Sequence, residues 1–327
     1  MARWVRPIRP TRTGQPVPHL SNAPDTGPRA ADIYRAGFVS FVGRPNVGKS
    51  TLTNALVGEK VAITSSKPQT TRRAIRGIVS RDHGQLIIVD TPGMHRPRTL
   101  LGERLNALVQ STLSDVDIIA LCVPANETVG PGDRFIVEQL TRYPRAIPVA
   151  IVTKTDAAPK ARVAHQLLAV SRLHEWAAVI PVSAPRGHQL EILVHELIAL
   201  LPPAAQPLYD ITEHTDEDVT DRIAELVREA TLEGAHDELP HSIAVTVEEI
   251  TEREDGSLID IYANIVVERD SQKGIIIGKG GARLREIGAD ARAEIESLMG
   301  RRVFLSLRVR VAKDWQRDPK HLGRMGF

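Results

Sequence analysis

Gly43-Arg44-Pro45-Asn46-Val47-Gly48-Lys49-Ser50 is the stretch that decides the fold of this chain of 327 residues. It matches the phosphate-binding pattern G-x-x-x-x-G-K-[ST] and is called the P-loop below. An apolar run at 37–42 precedes it, and a run at 49–57 with helical spacing follows it. A strand, a glycine loop and a helix N-terminus direct backbone N–H groups and the positive end of the helix dipole at one point. This context favours a nucleoside triphosphate site over a simple glycine turn, with Lys49 reaching the β- and γ-phosphates and the Ser50 hydroxyl binding Mg²⁺.

Residues 37–201 alternate between strand and helix signals, which predicts an α/β fold with a doubly wound, mainly parallel sheet. Ligands bind such sheets at the carboxyl ends of the strands. The predicted strands are 37–42, 74–80, 85–90, 116–123, 147–153 and 178–183. The predicted helices are 49–57, 98–112, 131–142, 159–174 and 187–200.

Two loops at that edge of the sheet offer ligands for Mg²⁺. The polar loop 67–73 contains Thr70 and Thr71, and either hydroxyl could complete the metal coordination once a γ-phosphate is bound. The apolar strand at 85–90 ends in Asp90, and an aspartate in this position holds Mg²⁺ in P-loop enzymes. In the following Thr91-Pro92-Gly93, the glycine would let the backbone meet the γ-phosphate. The predicted metal ligands are Ser50, Asp90 and, of the two threonines, Thr71, with Thr70 as the alternative.

Two further loops predict which base is bound. Asp156, in Thr153-Lys154-Thr155-Asp156, can accept hydrogen bonds from the ring N–H and the exocyclic amine of guanine, a donor pair that adenine lacks. The aliphatic stem of Lys154 could cover the base plane, and the backbone N–H of Ala184 could donate to guanine O6. The sequence thus predicts GTP rather than ATP. The predicted nucleotide-binding residues are those of the P-loop, Thr51, Thr70, Thr71, Asp90, Thr91, Pro92, Gly93, Thr153, Lys154, Asp156, Ser183 and Ala184.

A second domain begins after a proline-containing segment at 201–207. Its pattern is an amphipathic helix, two alternating strands, a glycine loop, a second amphipathic helix and a closing alternating strand. The glycine loop contains the G-x-x-G sequence Gly278-Lys279-Gly280-Gly281. The predicted limits are an extension at 1–35, a nucleotide-binding domain at 36–203, a linker at 204–216, an α+β domain at 217–315 and a basic tail at 316–327.

Composition narrows the classes of function. The apolar fraction of 42% and the charged fraction of 25% are typical of a soluble globular protein. The net charge is only +2, yet residues 269–327 contain fourteen Lys or Arg and seven acidic residues, which favours a polyanionic partner. The single cysteine, Cys122, lies in an apolar run, so we predict a buried thiol in a reducing compartment. No run reaches the ~20 apolar residues of a membrane span, and a cytoplasmic protein is expected.

The first 35 residues contain six arginines, two acidic residues and six prolines without apolar periodicity. This composition predicts a disordered extension. A basic arm that contacts RNA is the alternative.

The two sets of motifs together resemble the Era family of GTPases, in which a Ras-like P-loop domain precedes a type II KH domain. The resemblance rests on the P-loop, Gln69-Thr70-Thr71-Arg72, Asp90 to Gly93, Thr153 to Asp156, Ser183-Ala184 and the G-x-x-G loop. It implies hydrolysis of GTP with GDP and Mg²⁺ as further ligands. It also implies binding to the 3′ end of 16S-type small-subunit ribosomal RNA and a role in assembly of the 30S-type subunit. A monomer with weak peripheral association at the inner face of the cell membrane is expected on the same ground.

KH domains use the G-x-x-G loop to clamp the backbone of about four single-stranded nucleotides. The resemblance predicts that bases lie on the apolar run at 275–277, and that basic side chains around the loop contact phosphates. A solvated surface role is the alternative for each of these charges. The predicted RNA-binding residues are Lys273, Ile276, Ile277, Gly278, Lys279, Gly280, Gly281, Arg283 and Arg285.

Two departures from the family pattern concern the nucleotide site. Thr153 stands where the family usually has Asn, and a hydroxyl cannot supply the donor and acceptor of an amide, so lower guanine affinity is expected. Met94 stands where Ras-like enzymes carry a water-orienting Gln, so slow turnover is expected. The resemblance suggests that potassium near Asn46, or the bound ribosomal particle, completes a catalytic site made of Lys49, Thr71, Gly93 and Asn46. A role of Asn46 only in shaping the P-loop is the alternative.

Two other classes of function stay open at this point. The first is a constitutive RNA-binding scaffold whose nucleotide site only stabilises the fold, which the complete set of Mg²⁺ ligands opposes. The second is an ATP-dependent RNA enzyme, which Asp156 opposes.

Overall fold

Two separate β-sheets organise the part of the chain that the computed structural model describes, which is residues 33–65, 70–92, 99–233, 235 and 239–327. The side chain of His241 is also outside this description. Almost all of the extension predicted at 1–35 lies outside the described residues. Residues Tyr34–Phe327 form one unit that contains both sheets.

The first sheet has six strands in the order β2-β3-β1-β4-β5-β6. Its neighbouring strands run parallel except for β2 and β3, which are antiparallel, so the predicted mainly parallel sheet is confirmed. Strands β3 and β4 are buried along their whole length, as strands covered on both faces are. The strands are β1 (Arg35–Val42), β2 (Ile75–Arg81), β3 (Gly84–Asp90), β4 (Ile118–Pro124), β5 (Ile147–Thr153) and β6 (Val179–Pro181).

Helices cover both faces of this sheet. One face packs against Leu52 of the first helix and Leu193 of the fifth, and the other packs against Val109 and Ile136 of the second and third. Cys122 lies in the first of these cores with no exposed surface, which confirms it as a buried small side chain. The helices are α1 (Lys49–Val57), α2 (Leu100–Asp115), α3 (Pro131–Leu140), α4 (Lys160–Ser171) and α5 (Leu190–Leu200).

The segment predicted as a linker is ordered along the edge of the first sheet. The buried side chain of Gln85 accepts hydrogen bonds from the N–H groups of Leu208 and Tyr209 at 2.8 and 2.9 Å, and it donates to the Tyr209 carbonyl at 2.9 Å. The N–H of Ile78, on edge strand β2, donates to the carbonyl of His214 at 2.9 Å. The segment thereby covers part of an edge that would otherwise offer unpaired backbone groups.

The second sheet has three strands in the order β7-β8-β9, with β7 antiparallel and β9 parallel to β8. Ile261 and Ile265 of β8 form a core with Ile223 of the sixth helix and Ile287 of the ninth. The strands are β7 (Ala244–Glu252), β8 (Ile259–Val267) and β9 (Val303–Val311). The helices are α6 (Val219–Leu232), α7 (Leu239–Ser242), α8 (Asp270–Ile277), α9 (Ala282–Met299) and α10 (Pro319–Arg324).

Helix α8 stands where the sequence predicts only a glycine loop. The side chain of Gln272 accepts hydrogen bonds from the N–H groups of Glu268 and Arg269 at 2.9 and 3.1 Å, and so satisfies donors at the start of the helix. The helix ends at Gly278, whose N–H donates to the Gly274 carbonyl at 2.9 Å. None of the helices in the described ranges is long and apolar enough to cross a membrane.

Candidate functional site

The P-loop connects the end of β1 to the start of α1 at the carboxyl edge of the first sheet. Lys49 is almost fully buried, and its Nζ donates to the carbonyls of Gly43 and Arg44, both at 3.2 Å. Burial lowers the pKa of Lys49, and the nearby Asp90 carboxylate opposes this shift. The ammonium group is therefore held inside the loop, where phosphate oxygens are expected.

Arg44 contributes its backbone to the P-loop, while its side chain is engaged elsewhere. The guanidinium pairs with Asp133 at 2.8 Å and with Glu127 at 2.9 Å. Asp133 has no exposed side-chain surface, so this pair anchors the loop to the start of α3. Arg44 is thus a structural anchor rather than a phosphate contact through its side chain.

Ser50, Thr71 and Asp90 form one cluster of oxygen atoms. The Ser50 hydroxyl donates to Asp90 Oδ2 at 2.6 Å, the Thr71 hydroxyl lies 3.3 Å from the same atom, and the two hydroxyls are 3.3 Å apart. Asp90 is fully buried, which raises the pKa of its carboxyl, and no described residue hydrogen-bonds its Oδ1. Hard oxygen ligands with a buried, unpartnered carboxylate oxygen fit Mg²⁺. Of the two candidate threonines, Thr71 is the one whose hydroxyl joins this cluster.

Asp90→Asn is expected to raise the Mg²⁺ concentration that half-saturates GTP binding about tenfold, because an amide binds a hard cation less strongly than a carboxylate. Binding of a non-hydrolysable GTP analogue across a Mg²⁺ titration measures this effect. Affinity in the presence of a chelator should change little, and a variant with an unaltered Mg²⁺ titration would show that Asp90 is not a ligand.

Several predicted residues at this edge lie outside the described ranges. Among them are Gly93, Met94 and the loop residues Lys67 to Gln69, whose roles stay predictions. Thr91 and Pro92 are described and buried directly after β3. Asn46 has a left-handed backbone (φ 62°), and its carbonyl accepts a hydrogen bond from Lys154 Nζ at 2.6 Å.

A cavity of about 230 Å³ lies beside the P-loop, at the ends of β5 and β6. Lys154 extends along it to reach the Asn46 carbonyl, and the Ser183 hydroxyl donates to Asp156 Oδ1 at 2.6 Å, which fixes the orientation of that carboxylate. The structure therefore brings the predicted base-binding residues together. The sequence reasoning missed apolar lining residues, although their positions next to the motifs could have indicated them. The lining is Gly48, Thr51, Leu52, Thr153, Lys154, Asp156, Ala157, Val182, Ala184 and Pro185.

Thr153 ties this cavity to the P-loop. Its buried hydroxyl donates to the Val47 carbonyl at 2.6 Å, so the only donor of its side chain is used within the protein. The residue that departs from the family pattern thus has a structural role in joining β5 to the P-loop.

Thr153→Val is expected to lower the free energy of unfolding by about 1–3 kcal/mol, because it leaves the buried Val47 carbonyl without a donor. The change keeps the shape of the side chain, and urea denaturation of the nucleotide-free protein measures it. Thr153→Ser, which keeps the hydroxyl, is the matched control. Equal stability of Val and Ser variants would contradict the assigned role.

A groove of about 620 Å³ lies in the second domain between α9, β9 and the G-x-x-G loop. Gly278, Gly280 and Gly281 have φ values of 70°, 57° and 74°, a region that favours glycine. The guanidinium of Arg285 donates to the carbonyls of Gly280 and Gly281 at 3.1 and 3.3 Å. The groove is lined by Gly280, Gly281, Leu284, Arg285, Gly288, Ala289, Arg292, Leu305 and Leu307.

The predicted apolar floor at 275–277 is wrong for Ile276. This run lies on α8, which turns Ile276 fully into the core and leaves Ile275 54% exposed. Ile277 packs partly against the same core. The apolar lining of the groove comes instead from Leu284, Leu305 and Leu307, which the sequence reasoning missed.

The predicted phosphate contacts differ in their surroundings. Lys279 is exposed in the loop, and Lys273 is half-buried on α8. Arg283 donates to the carbonyl of Glu233, at the end of α6, so its side chain is turned away from the groove lining. Arg292, which was not predicted, lines the groove with Arg285.

Comparison with known proteins supports both halves of this description. A family model described as a 50S ribosome-binding GTPase matches residues 38–155, and one described as a KH domain matches residues 238–316. A protein of Leifsonia xyli subsp. xyli described as GTPase Era is 70% identical over 294 residues, covering 90% of this chain and 99% of the relative. A Mycobacterium sp. (strain JLS) protein with the same description is 62% identical over 297 residues, with the same two shares covered.

Solved structures extend the match to the whole described architecture. A variant of Aquifex aeolicus Era bound to GDP·AlF4⁻ has a TM-score of 0.85 and 35% identity, over 89% of this chain and 99% of that one. A structure of Era in complex with MgGDPNP and nucleotides 1506–1542 of 16S ribosomal RNA has the same score and identity, over 90% and 99%. With relatives of this identity matched over nearly their full length, the chain belongs to the Era family of GTPases.

Proposed function

We propose that this GTPase binds GTP and GDP with Mg²⁺, and that it binds the single-stranded 3′ end of small-subunit ribosomal RNA during assembly of the small ribosomal subunit. The observation that carries the proposal is the Ser50–Thr71–Asp90 cluster beside the base cavity, in one chain with a glycine-loop groove. The Era structure that holds MgGDPNP and 16S ribosomal RNA together supports the same combination.

Hydrolysis in this site would be an in-line attack of water on the γ-phosphate, catalysed by positioning and neutralisation of charge. Ser50, Thr71 and Asp90 would hold Mg²⁺, which neutralises charge on the β- and γ-phosphate oxygens when bound. Lys49 and the P-loop N–H groups would bind the phosphates from the other side. The catalytic roles of Gly93 and of potassium near Asn46 stay predictions, as does slow intrinsic turnover.

The groove of the KH domain has the chemistry that single-stranded RNA requires. Leucine side chains offer an apolar surface to bases, while Lys279, Arg285 and Arg292 place positive charge along its margin. Gly288 has no side chain and Ala289 only a methyl group, so a nucleotide chain can approach this part of α9 closely. The Era complex with nucleotides 1506–1542 of 16S ribosomal RNA supports the 3′ end as the bound RNA segment.

The domain limits and the cytoplasmic location in this proposal rest on the sequence patterns described above. A monomeric state and weak peripheral association with the cell membrane rest on the family resemblance.

The experiment that tests the proposal is GTP hydrolysis by the purified chain during titration with 3′-end fragments of small-subunit ribosomal RNA, in potassium and then in sodium. Hydrolysis above background and its stimulation by RNA would support a GTPase whose two sites are coupled. Binding of both GTP and RNA without any hydrolysis would favour the constitutive scaffold instead.

A further inference from the structure

The segment Thr70–Arg73 presents opposite sides to the two domains. The hydroxyl of Thr71 faces the nucleotide site, where it lies 3.3 Å from both Asp90 Oδ2 and the Ser50 hydroxyl. Its neighbours in the chain contact the KH domain and the residues that follow it. One short segment therefore joins a predicted Mg²⁺ ligand to the RNA-binding half of the protein.

Arg72 makes the most buried of these contacts. Its side chain is 1% exposed, and its guanidinium donates to the Ile243 carbonyl at 2.5 Å and to the Pro240 carbonyl at 3.1 Å. The guanidinium carbon also lies 5.9 Å from the ring centre of Trp315, which is fully buried. The indole is fixed in turn, because its N–H donates to the Ser242 carbonyl at 3.0 Å. Arg72 thus fills a pocket of two carbonyls and one aromatic face.

The residues on either side of Arg72 are held in the same way. Arg228 of α6 donates to the Thr70 carbonyl, and Arg73 forms an ion pair with Asp221 of α6. Arg73 also donates to the Met325 carbonyl at 3.2 Å. The backbone around Thr71 is therefore fixed from the KH side before and after the threonine.

The charge of Arg72 makes this contact hard to break. The guanidinium is buried, and an arginine side chain stays charged at neutral pH. Withdrawal of the Ile243 and Pro240 carbonyls would remove hydrogen bonds from a buried cation, which is costly. The segment is expected to move only together with its pocket.

We propose that Arg72 is a positioning residue through which the KH domain holds Thr71 in the Mg²⁺ site. This inference rests on the proposed function, in which Thr71 is a ligand of Mg²⁺. The KH domain is then part of the GTP-bound site, and any ligand that shifts the Arg72 pocket also shifts Thr71. GDP lacks the γ-phosphate with which Thr71 is expected to act, so its binding should not depend on Arg72.

Other contacts between the domains do not touch this segment and provide a control. Arg222 of α6 pairs with Glu59 at 2.5 Å, and Lys60 pairs with Glu294 of α9 at 3.0 Å. Loss of the Arg222 pair weakens the attachment of the KH domain but leaves the Arg72 pocket intact. If Arg72 only attaches the KH domain to the first domain, Arg222→Met should therefore have the same effect as Arg72→Met.

The test compares Arg72→Met with Arg222→Met in the full chain. Binding of a fluorescent non-hydrolysable GTP analogue, and separately of GDP, is measured across a Mg²⁺ titration. Arg72→Met should raise the half-saturating Mg²⁺ concentration for the analogue about tenfold and leave that for GDP unchanged, since groups that orient a metal ligand affect metal affinity by about 10–100-fold. Arg222→Met should leave both values unchanged.

Two further variants make the result decisive. Thr71→Ala should reproduce the effect of Arg72→Met, and the double variant should show no additional shift, because both changes act on one ligand. Trp315→Leu removes the aromatic face while the carbonyls remain, and it should give a smaller shift in the same direction. This variant also serves if Arg72→Met fails to fold.

The inference is overturned if Thr71→Ala shifts the Mg²⁺ titration while neither Arg72→Met nor Trp315→Leu does, or if Arg222→Met shifts it equally. It is also overturned if Thr71→Ala itself has no effect, because Thr71 is then not a ligand. Failure of the unaltered chain to bind the GTP analogue would instead contradict the proposed function. The two failures are therefore distinguishable.

Discussion

Asp156→Asn is expected to make the protein prefer XTP over GTP, a change in relative affinity of about a thousandfold or more. Guanine has an exocyclic amine at C2, which donates to a carboxylate, whereas xanthine has a carbonyl there, which requires a donor. The Ser183 hydroxyl donates to Asp156 Oδ1 at 2.6 Å, and an asparagine can keep this bond through its own Oδ1. The amide nitrogen then replaces the other carboxylate oxygen. Sites that hydrogen-bond a substrate group reject analogues lacking it by about 10⁴–10⁵-fold, so a reversal of this size is reasonable.

Competition between GTP, XTP and ATP for a fluorescent nucleotide measures this effect. Ser183→Ala is the matched control, because it loosens the carboxylate without changing its chemistry, and it should weaken GTP binding without creating affinity for XTP. An Asp156→Asn variant that still selects GTP would show that Asp156 does not meet the base. ATP should bind poorly to all three proteins.

The sequence predicts the first sheet well because each of its signals is local. The apolar runs that form β3 and β4 are buried on both faces of the sheet. The same continuous apolar side chains that predict a strand in the sequence are therefore the ones that bury it. Helix α8 was missed for a physical reason. Its three isoleucines and single glycine resemble a loop with an apolar surface, and the interaction that starts the helix is made by the side chain of Gln272. Such capping bonds depend on one side chain and leave little trace in periodicity.

Sites that combine distant segments were predicted less completely. The motif residues identify Ser50 and Asp90, but the choice of Thr71 over Thr70 depends on contacts of Thr70 and Arg72 with residues more than 150 positions away. The RNA groove shows the same limit, since Leu307 of β9 faces Gly288 of α9 only after the domain has folded. Local patterns therefore predict which chemistry is present, while long-range packing decides which neighbouring residue performs it.

Gly280→Asp is expected to weaken binding of single-stranded RNA about a hundredfold or more, with GTP binding unchanged. Gly280 has φ 57°, where a side chain costs roughly 1–2 kcal/mol, and no described atom lies within 4 Å of the position that a Cβ would take. The protein should therefore fold, with a carboxylate placed where the loop is expected to contact phosphates. Repulsion between these like charges adds to the backbone strain, and it should decline as salt is raised.

Gly280→Asn separates the two contributions, because asparagine has nearly the same shape, tolerates the left-handed region and carries no charge. Fluorescence anisotropy with a labelled 3′-end RNA fragment should give a loss of less than about tenfold for Asn at low salt. The difference between Asp and Asn should shrink at high salt, since screening weakens repulsion between exposed charges. Equal affinities of the two variants at low salt would show that phosphates do not pass this loop. If both variants also bind as tightly as the unaltered chain, the RNA must bind the KH domain by a surface other than the groove between α9 and β9.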